Sequence, residues 1–137
     1  MAETLHLQVA TPERQLVDDQ VSQVEIPVKN GYLGILPGHA PLLSELGAGV
    51  LSYVSSSESQ DKLLAIEGGF VEVLNNEVRV LAERAEFGRE IDFDRAREQL
   101  VDAQQRLQET ATAEESDRAL RRLAIAQARL EAAERAR

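Results

Sequence analysis

The sequence predicts an α+β fold, with an N-terminal antiparallel β-sandwich of about ten short strands followed by an antiparallel hairpin of two helices. Up to about residue 87, apolar residues alternate with polar ones, as in strands that bury one face. From residue 88 onward, apolar residues recur at steps of three and four, as on one face of a helix. We therefore expect a sandwich domain at 1–87 and a helical hairpin at 88–137.

Strand-breaking residues separate the alternating runs of the first part. The runs lie at 5–9, 24–28, 71–74 and 78–81, and the breakers lie at 12, 30–31, 47–49, 55–57, 68–69 and 75–76. Asn tolerates positive φ, so Asn75-Asn76 predicts a tight hairpin turn between the last two runs. Short strands joined by regular turns are typical of a sandwich or a barrel. The order of the strands does not follow from the pattern.

The first helix is predicted to begin at a cap formed by Asp92 or Asp94. Its buried face comprises Ala96, Leu100, Ala103 and Leu107. Thr112 and Glu115 have the spacing of a capping box for the second helix, and Ser116 is a rival cap. The seam of the second helix is predicted to be Leu120, Leu123, Gln127 and Leu130, flanked by Ala119, Ala126 and Ala133.

The hairpin has few large apolar residues to pack, namely Leu100, Leu107, Leu120, Leu123, Ile125 and Leu130. Strong helix formers stabilise the single helices, but the packed pair gains little from burial. A marginal hairpin can adopt a second position in which its helices dock elsewhere. The alternative is a stable small bundle, and the sequence leaves both open.

The net charge of −9 is unevenly distributed. Residues 1–94 contain 6 Lys and Arg against 16 Asp and Glu, whereas residues 95–137 contain 9 Arg against 8 Asp and Glu. An acidic front part repels phosphate backbones, so we expect no nucleic-acid partner. No apolar run approaches the roughly 20 residues of a membrane span, and residues 1–8 show no secretory signal. The absence of cysteine excludes thiol chemistry and fits a reducing compartment.

The sequence offers little for catalysis. Its two histidines are His6, expected to be exposed on a strand, and His39, in a turn-like segment without a second histidine nearby. Walker-type phosphate loops, nucleophile elbows and His-Glu-x-x-His pairs are absent. We expect no catalytic residue, no metal site and no required cofactor. A small hydrolase is a rival interpretation that lacks a nucleophile and base.

Segment 31–43 contains large apolar residues among Gly and Pro, and no Asp, Glu, Lys or Arg. It is too short to span a bilayer and has too many breakers for a helix. Such a segment is either a buried bend or an exposed contact patch. The residues alone favour the buried bend.

Within this segment, Gly34-Ile35-Leu36-Pro37-Gly38-His39-Ala40-Pro41-Leu42 resembles the signature loop of ATP synthase epsilon subunits. Residues 68–73 resemble the family's Gly-Gly-Phe strand, and residues 78–82 resemble the strand after it. Ile91-Asp92-Phe93-Asp94-Arg95-Ala96 resembles the start of the family's first C-terminal helix. The resemblance extends over nearly the whole chain.

The resemblance implies a non-catalytic rotor subunit in the central stalk of a proton-translocating F-type ATP synthase. Such a subunit binds the gamma subunit and rests on the c-ring, at the cytoplasmic face of a bacterial plasma membrane, without inserting into the membrane. The implied interface comprises Tyr32, Leu36, Pro37, Gly38, His39, Ala40 and Pro41. Tyr32 stands where the family often has an acidic residue near the c-ring. The alternative is a free-standing protein-binding module of another complex.

The resemblance also implies that the helices either fold down on the sandwich or extend toward the alpha and beta catalytic subunits. The extended form inhibits ATP hydrolysis in the family. The arginines of this inhibitory arm are Arg118, Arg121, Arg122 and Arg129, which can pair with acidic segments.

Some bacterial members bind ATP through an Ile/Leu-Asp-x-x-Arg-Ala motif, which residues 91–96 match. The implied site for ATP as a regulatory ligand comprises Glu86, Ile91, Asp92, Arg95, Ala96 and Arg129. Arg95 would bind phosphate near the helix N-terminus, and Glu86 would contact the base. The alternative is that Asp92 only caps the helix and Arg95 is solvated. Asp102 and Ile125, where ATP-binding relatives have arginines, favour this alternative.

Overall fold

The computed structural model describes residues 3–58 and 60–137. Three residues of the predicted sandwich lie outside the described residues, namely Met1, Ala2 and Ser59. The strands are β1 (Leu5–Ala10), β2 (Gln15–Val28), β3 (Gly31–Ile35), β4 (Leu42–Glu45), β5 (Gly49–Ser55), β6 (Asp61–Leu74) and β7 (Glu77–Phe87). A 3₁₀ turn at Gly88–Glu90 leads to α1 (Phe93–Gln108) and α2 (Ala113–Arg135). The predicted fold class is confirmed.

The described residues form seven strands, where the sequence suggested about ten, because β2 and β6 are each 14 residues long. β6 pairs with β5 along 61–66 and with β4 along 70–73. Between these stretches lie Gly68 and Gly69, with φ of 62° and 110°. Such φ values suit glycine and let the inward-facing residues change from even to odd numbers within one strand. The glycines at 68 and 69, which the sequence predicts as a break between strands, therefore lie within the single strand β6.

The strand β1 closes the sheet into a ring. It pairs antiparallel with β2 and parallel with β7, and the remaining order is β7-β6-β5-β2. β3 and β4 are attached at the sides of β2 and β6. The inward side chains of these strands, among them Leu5, Leu51 and Val80, form the main core. The parallel pairing could not be predicted, because alternation carries no information about strand direction.

Local signals for turns and caps are confirmed. Asn75 and Asn76 have φ of 51° and 60° and form the turn between β6 and β7. The Asp92 side chain accepts the backbone N–H of Arg95 at 3.1 Å and begins α1. Thr112 likewise accepts the N–H of Glu115 at 3.1 Å and begins α2, so Ser116 is not the cap.

The helical hairpin is folded down on the sandwich through small side chains. Ala132 and Ala133 of α2 form a second buried cluster with Val50, Leu63 and Ala65 of the sheet. The partly buried side chains around this cluster are Phe93, Leu130 and Ala136. Burial of alanine side chains removes little apolar area from water, so the docked hairpin gains only a modest hydrophobic stabilisation.

The predicted seam of α2 is partly wrong. Leu120 is 52% exposed and Gln127 is exposed, whereas Ala119, Ala126 and Ala133 are buried as predicted. Small side chains at a contact let a helix approach its neighbours closely. The alanine side of α2 therefore faces inward, and the leucine at 120 turns toward solvent.

Candidate functional site

Residues 36–41 form the part of the signature loop that connects β3 to β4, and they lie at the surface. The name signature loop refers to these six residues from here on. Ile35, the last residue of β3, is fully buried, but the next residue, Leu36, is 58% exposed. The expectation of a buried bend is therefore wrong for most of the segment. Within the loop, Leu36, Ala40 and Pro41 are exposed, although the strands on either side contribute Ile35 and Leu42 to the packing of the core.

Hydrogen bonds hold the loop in one shape. The N–H of His39 donates to the Leu36 carbonyl at 3.1 Å, and the His39 ring nitrogen Nδ1 donates to the Ala40 carbonyl at 2.7 Å. The N–H of Gly38 donates to the Asn76 side-chain oxygen at 2.7 Å. The last bond fixes the loop to the turn between β6 and β7.

Tyr32 lies on β3 at the start of the same segment. Its ring is half exposed, and its hydroxyl accepts the backbone N–H of Val50 at 3.1 Å. The hydroxyl bond fixes the position of the ring, which leaves its exposed side as apolar area on the surface.

A surface that the sequence reading missed lies on the outside of β4, β6 and β7. We call it the outer apolar face, and it comprises Leu43, Phe70, Leu74 and Leu81. Phe70 lies directly opposite Leu81 across β6 and β7, and Leu43 lies opposite Glu72, between Phe70 and Leu74 along β6. All four side chains are between 47% and 72% exposed. The signal was present, because burying Val71, Val73 and Val80 turns their neighbours outward.

A cleft of about 1060 Å³ lies between the hairpin and the sandwich. Charged side chains from both parts line it, namely Glu13, Arg14, Glu67, Arg84, Glu86, Asp102, Arg106, Arg122 and Arg129. Arg129 pairs with Glu86 at 2.8 Å, and Arg106 pairs with Asp102 at 2.9 Å. Arg14 also lies 3.9 Å from Glu90, so three of the five arginines that line the cleft are already paired with carboxylates.

The structure brings only part of the predicted ATP site together. Glu86 and Arg129 are in direct contact in the cleft. Asp92 and Arg95 are exposed at the start of α1 and do not line this cleft. Ile91 and Ala96 are buried in the second cluster, where they pack against the sandwich.

The remaining arginines of the predicted arm lie on the surface of α2. Arg118, Arg121 and Arg122 are exposed. Within the described residues none of the three forms an ion pair, in contrast to Arg129. Their positive charge is therefore available at one side of the helix.

His6 is not simply exposed, as the sequence suggested. Its Nε2 lies 2.5 Å from Asp18 Oδ1 on β2, and its Nδ1 lies 3.1 Å from Glu77 Oε2 on β7. The hydrogen bonds that the His6 ring donates to Asp18 first and to Glu77 second raise the pKa of His6 above its ordinary value of 6.5. The side chain links the three strands at which the ring closes. The alternation of apolar and polar residues in β1 predicted the face on which His6 lies, but it could not predict its partners on other strands.

The described residues, 3–58 and 60–137, were also compared with the requirements of a metal site and of a membrane-spanning helix. No group of three or more His, Cys, Asp or Glu residues there has an arrangement suited to a metal ion. No described helix has the length and apolar character needed to cross a membrane.

Comparison with known proteins assigns the family. The profile described as "ATP synthase, Delta/Epsilon chain, beta-sandwich domain" matches residues 4–88. An ATP synthase epsilon chain from Solibacter usitatus is 45% identical over 135 residues, covering 98% of this chain and 99% of the relative. The chain belongs to the ATP synthase epsilon chain family. A second epsilon chain, from Koribacter versatilis, is 51% identical over 108 residues, covering 79% of this chain and 75% of the relative.

Solved structures show that this epsilon chain has the fold of chains in larger assemblies. One belongs to the Euglena gracilis mitochondrial ATP synthase in an OSCP/F1/c-ring structure, with a TM-score of 0.82, 23% identity, and coverage of 96% of this chain and 81% of that one. Another belongs to the central stalk and c-ring structure of the Tetrahymena thermophila mitochondrial ATP synthase. It has a TM-score of 0.70, 19% identity, and coverage of 95% of this chain and 96% of that one.

Proposed function

We propose that this epsilon chain is a non-catalytic central-stalk subunit of a proton-translocating F-type ATP synthase. It couples rotation of the c-ring to the catalytic head through the gamma subunit. Membership of the epsilon family and the fold shared with chains of ATP synthase assemblies support the proposal. The observation that carries it is the outer apolar face, which lies directly beside the signature loop.

The outer apolar face is the docking surface for gamma. Four large apolar side chains on one sheet surface are more than the scattered exposed residues of an ordinary monomer, and such patches mark interfaces. Glu45, Glu72 and Arg79 lie on the same surface, opposite or beside the apolar residues. These charges lie among the apolar side chains, where they orient a partner, while the apolar side chains supply the binding energy.

The signature loop extends this surface toward the c-ring. The bond from Gly38 to Asn76 places the loop next to the turn that follows Leu74, a member of the outer apolar face. Leu36 therefore adds exposed apolar area at this end of the sandwich, while the half-exposed ring of Tyr32 lies at the other end of β3, where its hydroxyl bonds to Val50. In this arrangement Pro37, His39, Ala40 and Pro41 give the loop its shape and contact gamma, and Tyr32 meets the c-ring.

A binding role accounts for the charges and histidines better than catalysis does. His39 donates to a neighbouring carbonyl, and His6 bridges two carboxylates on adjacent strands. Both histidines therefore have structural partners. The subunit is held at the cytoplasmic face of the plasma membrane through the c-ring, without insertion, and its acidic sandwich disfavours nucleic acid.

The helical hairpin restrains ATP hydrolysis when it leaves the sandwich. Arg118, Arg121 and Arg122 lie three and four positions apart, so they share one side of α2. An extended α2 would present these charges to acidic segments of the alpha and beta subunits. Removing residues from Asp92 onward should raise ATPase activity of the assembled complex and leave assembly intact; unchanged ATPase activity would contradict this role.

The rotor assignment is tested with the gamma subunit of the same synthase. Mixed with gamma, the full chain should migrate as a stable pair in sedimentation. A cysteine introduced at His39 should crosslink to gamma, whereas one introduced at exposed Leu120 on the folded-down hairpin serves as the control position. A chain that forms no pair with gamma would instead be a module of another complex.

A further inference from the structure

We propose that Arg129, Glu86 and Gln99 form a latch that holds the helical hairpin against the sandwich without a nucleotide. We call these three residues the Arg129 latch. The inference rests on the proposed function, in which the hairpin moves between a folded-down and an extended position. It assigns the resting position to a contact within the chain itself.

Arg129 on α2 bonds to both the sandwich and the other helix. Its Nε donates to Glu86 Oε2 at 2.8 Å, and its Nη2 donates to Glu86 Oε1 at 3.2 Å. Its Nη1 donates to the side-chain oxygen of Gln99 on α1. All three guanidinium nitrogens are thus used, two on β7 and one on α1. The paired bonds to Glu86 require the planar fork of arginine, which matches a carboxylate.

The other ion pairs of the helices do not depend on the position of the hairpin. Asp102 with Arg106, and Glu131 with Arg135, are each four residues apart within one helix. In the part of the chain that the structure describes, Arg129 with Glu86 is the one ion pair between a helix and a strand. Extension of the hairpin therefore breaks this pair and leaves the pairs within the helices intact.

The Arg129 latch is partly enclosed, with the Glu86 side chain 46% exposed and that of Arg129 less so. The Arg129 side chain is 24% exposed, so solvent and salt screen its charge less than they screen a fully exposed pair. The rest of the docked surface is formed largely by alanines such as Ala132 and Ala133. Loss of one partner also leaves the other charge partly buried and unpaired, which adds to the cost.

The latch is tested on the full chain by hydrogen exchange measured with mass spectrometry. Glu86→Gln and Arg129→Gln should each accelerate amide exchange in α2 roughly tenfold, equivalent to about 1.4 kcal/mol, while the sandwich strands keep their protection. The double variant Glu86→Arg with Arg129→Glu should recover much of the lost protection. Asp102→Asn is the matched control, because it removes a carboxylate from the same cleft but only breaks a pair within α1.

The outcomes separate the latch from the rotor assignment. Wild-type exchange rates in both single variants, with gamma binding intact, would overturn the latch and leave the rotor assignment standing. Equal acceleration in the Asp102→Asn control would also overturn the latch. Absence of gamma binding by the wild-type chain would overturn the rotor assignment, whatever the exchange rates. If Arg129→Gln does not fold, Arg129→Lys keeps the charge and loses the fork, and unchanged exchange in that variant would overturn the latch.

Discussion

Gly88 approaches the backbone of Ala132 so closely that a Cβ at position 88 would lie 2.4 Å from the Ala132 carbonyl oxygen. This contact joins the 3₁₀ turn after β7 to the end of α2. The obstacle is backbone, so no side chain can rotate away to make room. The folded-down position of α2 therefore depends on the absence of a side chain at residue 88.

Replacing this glycine should displace the hairpin and leave the sandwich folded. We predict that Gly88→Ala destabilises the docked α2 by about 1–3 kcal/mol, the usual cost of overpacking. Limited proteolysis should then cut the helices faster while the sandwich persists. Gly34→Ala is the control, because no atom lies within 4 Å of a Cβ built at Gly34. Equal protease resistance of the Gly88→Ala variant and wild type would contradict the prediction.

The stability of the sandwich should depend on pH through His6. Asp18 and, second, Glu77 raise the pKa of His6, so the protonated form is favoured in the folded state. This stabilisation is fully present below the unfolded value of about 6.5 and is lost as the pH rises through the raised folded pKa. Urea unfolding across this range should show the loss for wild type and a smaller loss for His6→Gln.

The Asp18→Asn variant separates the two partners of His6. Because Asp18 is the larger cause of the raised pKa, this variant should lose more of the pH dependence than Glu77→Gln does. A pH dependence in His6→Gln as large as in wild type would show that other groups are responsible.

Features that depend on residues close together in the sequence could be predicted, whereas features that depend on packing between distant elements could not. The turn at Asn75-Asn76 and the caps at Asp92 and Thr112 were predicted because each depends on residues a few positions away. The prediction that Leu120 is buried was wrong. Whether a leucine or its neighbouring alanine is buried depends on how closely another element approaches the helix.

The candidate site shows the same division. The loop at 36–41 was found through its composition and family resemblance, but its exposure follows from where β3 and β4 attach to the sheet. Arg129 and Glu86 are 43 residues apart in sequence, and no local pattern indicates that they pair. The outer apolar face could have been predicted, since it is the complement of the alternating core residues.

ATP as a regulatory ligand stays a prediction, and the cleft allows a specific expectation. Arg129 and Arg106 already bind carboxylates, and Arg95 does not line the cleft. Phosphate groups would have to displace Glu86 from Arg129, so we expect isothermal titration of the wild-type chain to show millimolar or no affinity for ATP. Asp102→Arg combined with Ile125→Arg should tighten binding, because both positions line the cleft. Micromolar affinity in wild type would contradict the expectation.

The interaction with gamma is the most direct test of the rotor assignment. Leu81→Glu places a charge on the outer apolar face, directly opposite Phe70. Because the change removes apolar contact area and a docked interface would desolvate the new carboxylate, we predict that affinity for gamma falls at least tenfold, or about 1.4 kcal/mol. Leu120→Glu is the matched control, the same change at an exposed leucine on the hairpin.

The measurement is the dissociation constant of each full-length variant for gamma, with circular dichroism spectra to confirm that both variants fold. A large loss for Leu81→Glu together with wild-type affinity for Leu120→Glu is the predicted result. Wild-type affinity for Leu81→Glu would contradict the docking of gamma on the outer apolar face, and with it the observation on which the rotor assignment depends.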